Sequence, residues 1–279
     1  MKSILVPCNF SNHSEMAFNF ALEIAEALEA EIVILTALND INSTEPAERE
    51  IQDSLIAENK SKFKTLLEKQ ARLHVPVRHI LRPGKITPLV LDIIEEEKID
   101  VVIMGTHGSR GWDGFFMGSN IEKIVRTSPV PVFAVKSKIA VRSVHNIVFP
   151  ISLSSDQNTV IEKVKNLQKL FRARLHLVRI NTGAAKNEKE NLEKLTEFGE
   201  KHQLANFTVN SRNRAEVKDG IIDFAREINA DMIAMATHGN RGLNHLYSQS
   251  IAADVVNHAN FLIWTSSTAK NPEKNLKAV

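Results

Sequence analysis

Residues that cross-link or anchor a chain are scarce in this sequence of 279 residues. It has one cysteine, Cys8, so no disulfide can form within the chain, and a reducing compartment is expected. The apolar run at Ile4–Val6 is too short for a signal peptide, and no run approaches the ~20 apolar residues that a membrane helix needs. These absences favour a cytoplasmic protein over a secreted or membrane protein.

A strong charge of either sign is also lacking. The 35 basic and 33 acidic side chains leave a formal net charge of +2, too small to indicate nucleic acid or an anionic membrane as a partner. Hydrophobic residues make up 43% of the chain and charged residues 24%, as is usual for globular domains. The length predicts two domains of roughly 140 residues each.

One eight-residue pattern occurs twice. Residues 104–111 read MGTHGSRG, and residues 235–242 read MATHGNRG. Each copy follows a short apolar run that begins with an aspartate, Asp100 or Asp231. The chain is therefore predicted to be a duplicated α/β domain. Each half would have a loop at the carboxyl end of a strand, where open parallel sheets bind ligands.

Hydrophobic periodicity and turn residues predict the elements of the first half. Strands are expected at residues 4–6, 30–35, 76–81, 101–104 and 131–135. Helices are expected after Ser11 as a cap, from Ile51 to near His74, after Thr87 as a cap, and from Gly118 or Ser119. The alternation of strands and helices predicts a five-stranded parallel sheet with helices on both faces.

The second half repeats this plan. Residues 145–150 match 2–7, residues 173–177 match 30–34, residues 223–231 match 92–100, and residues 260–264 replace the last strand. We therefore predict two Rossmann-like α/β domains, residues 1–138 and 145–267. A short basic linker would join them, and a polar tail would follow Ser267.

A glycine motif follows the fourth predicted strand. Two residues separate Gly105 from Gly108, and nine more separate Gly108 from Gly118 and Ser119. Glycine lets main-chain N–H groups approach a phosphate closely, and the start of a helix favours an anion. The segment therefore predicts a phosphate cradle made of main chain, with residues 109–117 as a loop between its walls.

Three segments together resemble a tandem universal stress protein: Val6-Pro7-Cys8-Asn9, the motif from Gly105 to Ser119, and Pro129-Val130-Pro131-Val132. The resemblance covers nearly the whole chain. It implies the Rossmann-like fold of the adenine nucleotide alpha hydrolase type, a role in the stress response and a bound adenine nucleotide. That ligand would be ATP, alone or with Mg²⁺, with AMP and a cyclic nucleotide left open.

The resemblance also implies where the nucleotide lies. The base would lie near the end of the first two strands, and the phosphates on the glycine motif. The implied binding residues are Pro7, Asn9, Ala37, Gly105, His107, Gly108, Arg110, Gly118, Ser119 and Asn120. Single-domain members dimerise through the last strand. An intramolecular pseudo-dimer through residues 131–135 and 260–264 is therefore implied, with further homodimerisation left open.

Two departures from the family pattern bear on function. Asn9 stands where the family has Asp, so it keeps a carbonyl oxygen but adds hydrogen-bond donors and loses the charge. In the second half, Ser152, Ala236 and Gln249 stand in place of the Asp and two glycines of the motif. The second half is therefore expected to be mainly structural.

No catalytic or metal-binding residue is expected. A Gly-Lys-Ser/Thr phosphate loop and a Ser-His-Asp set are absent from the sequence, so any ATP hydrolysis should be slow. His107 and His238 lack a second ligand at metal-like spacing, and Cys8 is expected to be a small buried residue. A nucleotide-binding regulator is favoured, and a nucleotide-independent scaffold or a slow ATPase stays open. The protein partner is not identified by the sequence.

Overall fold

The computed structural model describes residues 1–38, 46–70, 74–106, 117–152, 158–182, 188–237 and 245–267. The chain divides into two compact units. The first comprises Met1–Ile124 and Val132–Ala140, and the second comprises Val125–Pro131 and Val141–Val279. A short 3-10 turn lies at Val141–Ser143, within the predicted linker.

In the first unit, strands and helices alternate along the chain. They are β1 (Ser3–Pro7), α1 (Asn12–Leu28), β2 (Glu31–Leu38), α2 (Pro46–Glu68), β3 (Val77–Pro83), α3 (Ile86–Glu96), β4 (Val101–Gly105), α4 (Met117–Thr127, which ends among the residues grouped with the second unit) and β5 (Val132–Val135). The second unit repeats the alternation. Its elements are β6 (Asn146–Pro150), α5 (Asn158–Phe171), β7 (Arg174–Asn181), α6 (Glu188–Lys201), β8 (Phe207–Asn213), α7 (Val217–Glu227), β9 (Met232–Thr237), α8 (His245–His258) and β10 (Leu262–Ser267).

The strand order is the same in both units. It is β3-β2-β1-β4-β5 in the first and β8-β7-β6-β9-β10 in the second, and the described pairs within each unit are parallel. The predicted fold class, two Rossmann-like domains with parallel sheets, is confirmed. In each unit the strand order changes direction between the first and fourth strands, a topological switch point where such sheets bind ligands.

The two aspartates that precede the repeated pattern have the same structural role. Asp100 Oδ2 accepts a hydrogen bond from Lys2 N at 2.7 Å, and Asp231 Oδ2 accepts from His145 N at 2.8 Å. Each carboxylate therefore satisfies a main-chain donor where the first strand of its unit begins. The acidic residue at the start of each apolar run is thus explained by strand pairing rather than by ligand binding.

The first helix begins as the sequence predicts. Ser11 is the N-cap of α1, and its hydroxyl accepts from Ser14 N at 3.4 Å. The helix buries one face of small and large apolar side chains, and its Phe20 meets Phe133 of β5 edge to face. This packing holds α1 against the sheet that carries the predicted motif.

Several predicted boundaries are wrong. Helix α3 begins at Ile86 with Lys85 as its N-cap, so Thr87 lies inside the helix and does not cap it. Helix α2 ends at Glu68, short of His74. Strand β10 continues to Ser267 because the main chain of its polar last residues still pairs with β9. Among the described helices, none is long and apolar enough to cross a membrane.

Candidate functional site

A cavity opens at the carboxyl ends of β1, β2 and β4 in the first unit, at the switch point of its sheet. Its volume is about 160 Å³, below the ~300–1000 Å³ that is typical of small-molecule sites. The residues that line it are Pro7, Cys8, Asn9, Ser14, Ala37, Ile86, Met104, Gly105, Asn120 and Ile121. The described residues thus form one part of a larger predicted site.

Half of the residues implied by the resemblance meet in this cavity. These are Pro7, Asn9, Ala37, Gly105 and Asn120. Gly118 and Ser119 belong to the first turn of α4. His107, Gly108 and Arg110 lie outside the described residues.

Sequence reasoning did not assign Ser14, Ile86, Met104 or Ile121 to the site. Three of these residues are apolar, and an apolar residue in the sequence predicts only a position in the core. They line the cavity because the switch point brings α1, α3, β4 and α4 together, and no local pattern carries that information.

The loop after β1 fixes the side chain of Asn9. Its Oδ1 accepts two hydrogen bonds from Ser11, one from the main-chain N at 3.2 Å and one from the hydroxyl at 2.7 Å. The carbonyl oxygen is therefore engaged within the loop. Asn9 lines the cavity, and its Nδ2 amide hydrogens are what it can still offer a ligand.

Cys8 is a buried thiol in the wall of the cavity. Its Sγ lies 3.4 Å from Ser14 Oγ and accepts a hydrogen bond from Phe10 N at 3.4 Å. Burial raises the pKa of the Cys8 thiol, and this outweighs the hydrogen bonds that lower it. The thiolate is therefore disfavoured at neutral pH. The prediction that Cys8 is a small buried residue is confirmed.

The hydrogen-bond ladder between β1 and β2 ends at the cavity. Among the described residues, its last main-chain bond joins Cys8 N to Leu35 O at 2.9 Å. The carbonyl of Cys8, which would continue the ladder, accepts from Thr36 Oγ1 at 2.9 Å instead. Residues of a strand face its two neighbours alternately, so Ala37 faces the same side as Leu35, beyond the end of β1. Its main-chain N–H and C=O can therefore pair with a ligand.

His79 on β3 forms a hydrogen bond with the same Thr36 hydroxyl. The Thr36 hydroxyl donates its proton to Cys8 O, so His79 Nε2, 3.0 Å away, donates to Thr36 Oγ1. The imidazole packs on Phe63 with the ring centres 4.5 Å apart. Burial lowers the pKa of His79 to about 4, so the ring is neutral at pH 7 and adds no charge beside the cavity.

Gly105 ends β4 directly against the first turn of α1. A Cβ at this position would lie 2.0 Å from the carbonyl oxygen of His13 and 2.8 Å from Ser14 N. The close main chain of α1 therefore requires glycine at this position. This reason was not foreseen from the sequence, which attributed the glycine to a turn and to the approach of a phosphate.

Asn120 connects the start of α4 to α3. Its Oδ1 accepts from the Thr87 hydroxyl at 3.2 Å. This bond is the structural role of Thr87, which was expected to cap α3. It holds Asn120 at the cavity wall, one residue beyond the Gly118-Ser119 pair of the motif.

The corresponding edge of the second unit carries different residues. Ser152 is exposed after β6, and Ala236 lies in β9 where Gly105 lies in β4. Gln249 and Ser250 belong to α8, while His238, Gly239 and Arg241 lie outside the described residues. Within the described part of the chain, no group of three or more His, Cys, Asp or Glu side chains could hold a metal ion.

Comparison with known proteins identifies the family. The model described as the universal stress protein family matches residues 1–136 and again residues 143–263. A universal stress protein of Methanocaldococcus jannaschii is 29% identical over 156 residues, which cover 49% of this chain and 96% of that protein.

A solved structure that covers nearly the whole chain has the same fold. A universal stress protein from Archaeoglobus fulgidus superposes with a TM-score of 0.71 at 16% identity, covering 96% of this chain and 98% of that one. A family member from Arabidopsis thaliana, solved with AMP bound, covers 49% of this chain and 92% of its own, at 18% identity and a TM-score of 0.37. With one family match in each half, the chain belongs to the universal stress protein family and is a tandem member of it.

Proposed function

We propose that the first unit binds an adenine nucleotide, ATP with or without Mg²⁺, and that the protein is a nucleotide-dependent regulator of the stress response. The observation that carries this proposal is the convergence of Pro7, Asn9, Ala37, Gly105 and Asn120 on one cavity at the switch point. Family membership supports it. The cytoplasm stays the predicted location.

The chemistry of the cavity suits the nucleoside part of such a ligand. No charged side chain is among the described lining residues, and Ile86, Met104 and Ile121 supply apolar surface for a base. Ala37 has no main-chain partner on the β1 side among the described residues, so it offers one donor and one acceptor there. A purine with adjacent acceptor and donor atoms can pair with such an edge, as main chain does in a sheet.

The phosphates would lie at the start of α4. A helix start presents main-chain N–H groups and a partial positive charge, and the glycine at 118 permits close approach. Mg²⁺ would be bound mainly through the phosphates, as is usual for nucleotide complexes. The second unit would contribute structure, because Ala236 and Gln249 replace the two glycines.

A regulatory output is proposed through residues 109–117, which include Phe115 and Phe116 and lie largely outside the described residues. Nucleotide would order this loop and alter a surface for a protein partner. Hydrogen exchange of the loop with and without ATP tests this mechanism, and equal protection in both states would contradict it.

The binding proposal is tested by isothermal titration of ATP, ADP and AMP into nucleotide-free protein, with and without Mg²⁺. One site per chain is expected. Ile86→Trp, which fills the cavity with an indole, should weaken binding at least tenfold. Val217→Trp is the matched control, because Val217 begins α7 as Ile86 begins α3, and it should leave affinity within twofold of the parent.

Other outcomes separate the alternatives. Two nucleotides per chain would mean that the second unit also binds. No binding of any nucleotide would favour the nucleotide-independent scaffold. Steady phosphate release that is abolished by Gly118→Gln would favour the slow ATPase, whereas release that this change leaves unaltered would indicate a contaminating enzyme.

A further inference from the structure

A second cavity lies in the second unit, at the amino-terminal ends of β7 and β8, whereas the predicted nucleotide loop follows the carboxyl end of β9. It is formed between the carboxyl end of α5 and the turn before β8, and its volume is about 280 Å³. We name it the basic hollow. Three cations and three amides line it, namely Lys165, Lys169, Arg172, Gln168, Gln203 and Asn206.

The floor of the basic hollow is preformed. Gln168 is 8% exposed, and its Nε2 donates to the carbonyl oxygens of both Ala205 and Asn206. Asn206 O also accepts from Leu175 N at 3.0 Å, and Asn206 Oδ1 accepts from Arg174 Nε at 3.2 Å. These bonds fix the turn against α5. A ligand would therefore meet a cavity whose main chain is already ordered.

The charges of the basic hollow are only partly compensated. Lys165 pairs with Glu162 at 3.0 Å, and the Glu162 side chain is 68% exposed. Lys169 and Arg172 have no acidic partner among the residues that the structure describes. No carboxylate is among the described lining residues either. Two full positive charges thus border one cavity without a counter-charge from the described part of the protein.

The first unit shows that the fold does not require these cations. By strand register, Arg172 corresponds to Glu29, and both have left-handed main chain, with φ of 52° and 51°. Lys169 corresponds to Glu26, three residues earlier. Helix α1 ends without a basic residue in its last turn. Basic residues often serve only to offset a helix carboxyl terminus, but α1 ends in the same geometry with acids.

We propose that the basic hollow binds the phosphate group of a small molecule. The Arg172 guanidinium can hold two phosphate oxygens at once, and Lys169 and Lys165 add point charges. The partial negative charge of the α5 terminus, about half an electron charge, is outweighed by the three cations. The volume of about 280 Å³ lies just below the ~300–1000 Å³ of small-molecule sites, so it suits a small phosphorylated compound.

The test uses inorganic phosphate and pyrophosphate as probes, titrated into the full chain at low ionic strength and followed by amide chemical shifts. Saturable shifts confined to residues 165–175 and 203–207 are expected. The double variant Lys169→Glu/Arg172→Glu introduces the acids that the first unit has at the corresponding positions. It should weaken binding at least tenfold. Lys189→Glu/Lys201→Glu on exposed positions of α6 is the control with the same change in net charge, and it should change affinity less than twofold.

Three results would overturn the proposal. One is the absence of saturable shifts up to 10 mM of either probe, a concentration of about the order that weak anion sites need. The second is equal weakening by both double variants, which would indicate only the general field of the protein. The third is shifts centred on the Gly118-Ser119 segment alone. ATP titration of the same variants separates the two sites, because loss of the basic hollow should leave the nucleotide stoichiometry of the first unit unchanged.

Discussion

Single side chains at the candidate site act mainly by arranging the main chain. The Thr36 hydroxyl donates to the Cys8 carbonyl, where the ladder between β1 and β2 ends among the described residues. Ser11 engages the oxygen of Asn9 and leaves its amide hydrogens. The polar character of the cavity is therefore set by which partner each group already has, rather than by residue type alone.

Gly105→Ala is expected to destabilise the protein even without nucleotide. The new methyl would lie 2.0 Å from the His13 carbonyl, so the first turn of α1 must shift, at a cost of about 1–3 kcal/mol. Urea denaturation of nucleotide-free protein measures this. Ala236→Gly at the equivalent position of the second unit is the control, with an expected cost of about 0.5–1 kcal/mol. A Gly105→Ala protein as stable as its parent would show that α1 can move away freely.

At the level of secondary structure, both the cavity and a buried lysine lie where strands end. Strands β1 and β4 stop where the cavity begins, and β2 continues past the end of β1. Strand β5 ends at Val135, opposite Gly105, and Lys136 follows. The Lys136 ammonium is buried and has no hydrogen-bond partner among the described residues. Its burial therefore destabilises the folded protein.

Lys136→Met is expected to stabilise the protein at pH 7. Burial lowers the pKa of Lys136 to about 8 from an ordinary value of 10.5, so below pH 8 the folded state carries the full cost of a buried charge. Between pH 8 and 10.5 the unfolded state binds more protons, and stability rises with pH. The variant should be more stable by up to about 3 kcal/mol at pH 7, and the difference should shrink across that window.

The control for this prediction is Lys138→Met, two residues further along and exposed, which removes the same charge. Its stability should follow that of the parent at each pH. A difference between Lys136→Met and the parent that stays constant from pH 7 to 10.5 would mean that packing, rather than the charge, sets the effect.

For the molecule as a whole, the two units share a fold but differ in their sites. The first unit has the complete motif and the apolar cavity, while the second has Ala236 and Gln249 in the motif and the basic hollow at the amino-terminal ends of β7 and β8. Duplication preserved the strand order and the aspartates that start the sheets. The implied pairing of the two repeats into a pseudo-dimer stays a prediction, which the mass of the particle in solution and interface variants in β5 and β10 can test.

Saturating ATP is expected to protect one unit of the two. Ligand binding stabilises the folded state by about 2.7 kcal/mol at a hundredfold excess over Kd, and only the unit that binds gains this directly. Hydrogen exchange followed by mass spectrometry should show slower exchange within residues 1–140 and little change within residues 145–267. Equal protection of both units would contradict the assignment of the nucleotide to the first.

The α/β plan, the duplication and the family could be predicted from the sequence, because periodicity, caps and repeated motifs are local properties. Ser11 as a cap and the strands around residues 4–6 and 101–104 were predictable for this reason. Thr87 was misread because a hydroxyl before a helical run resembles a cap until its partner, Asn120, is known.

The further residues that meet at each site could be identified only in the folded chain. Strand order places Ser14, Ile86 and Ile121 around the cavity that the motif residues line, and no spacing along the chain encodes that order. The same holds for Gly105, whose need for glycine arises from a helix that precedes it by some ninety residues. The basic hollow is a further example. The cations at the carboxyl end of α5 line a cavity only because the turn that Gln168 fixes lies beside them. Sites of this kind depend on distances across the sheet, and those distances exist only in the folded chain.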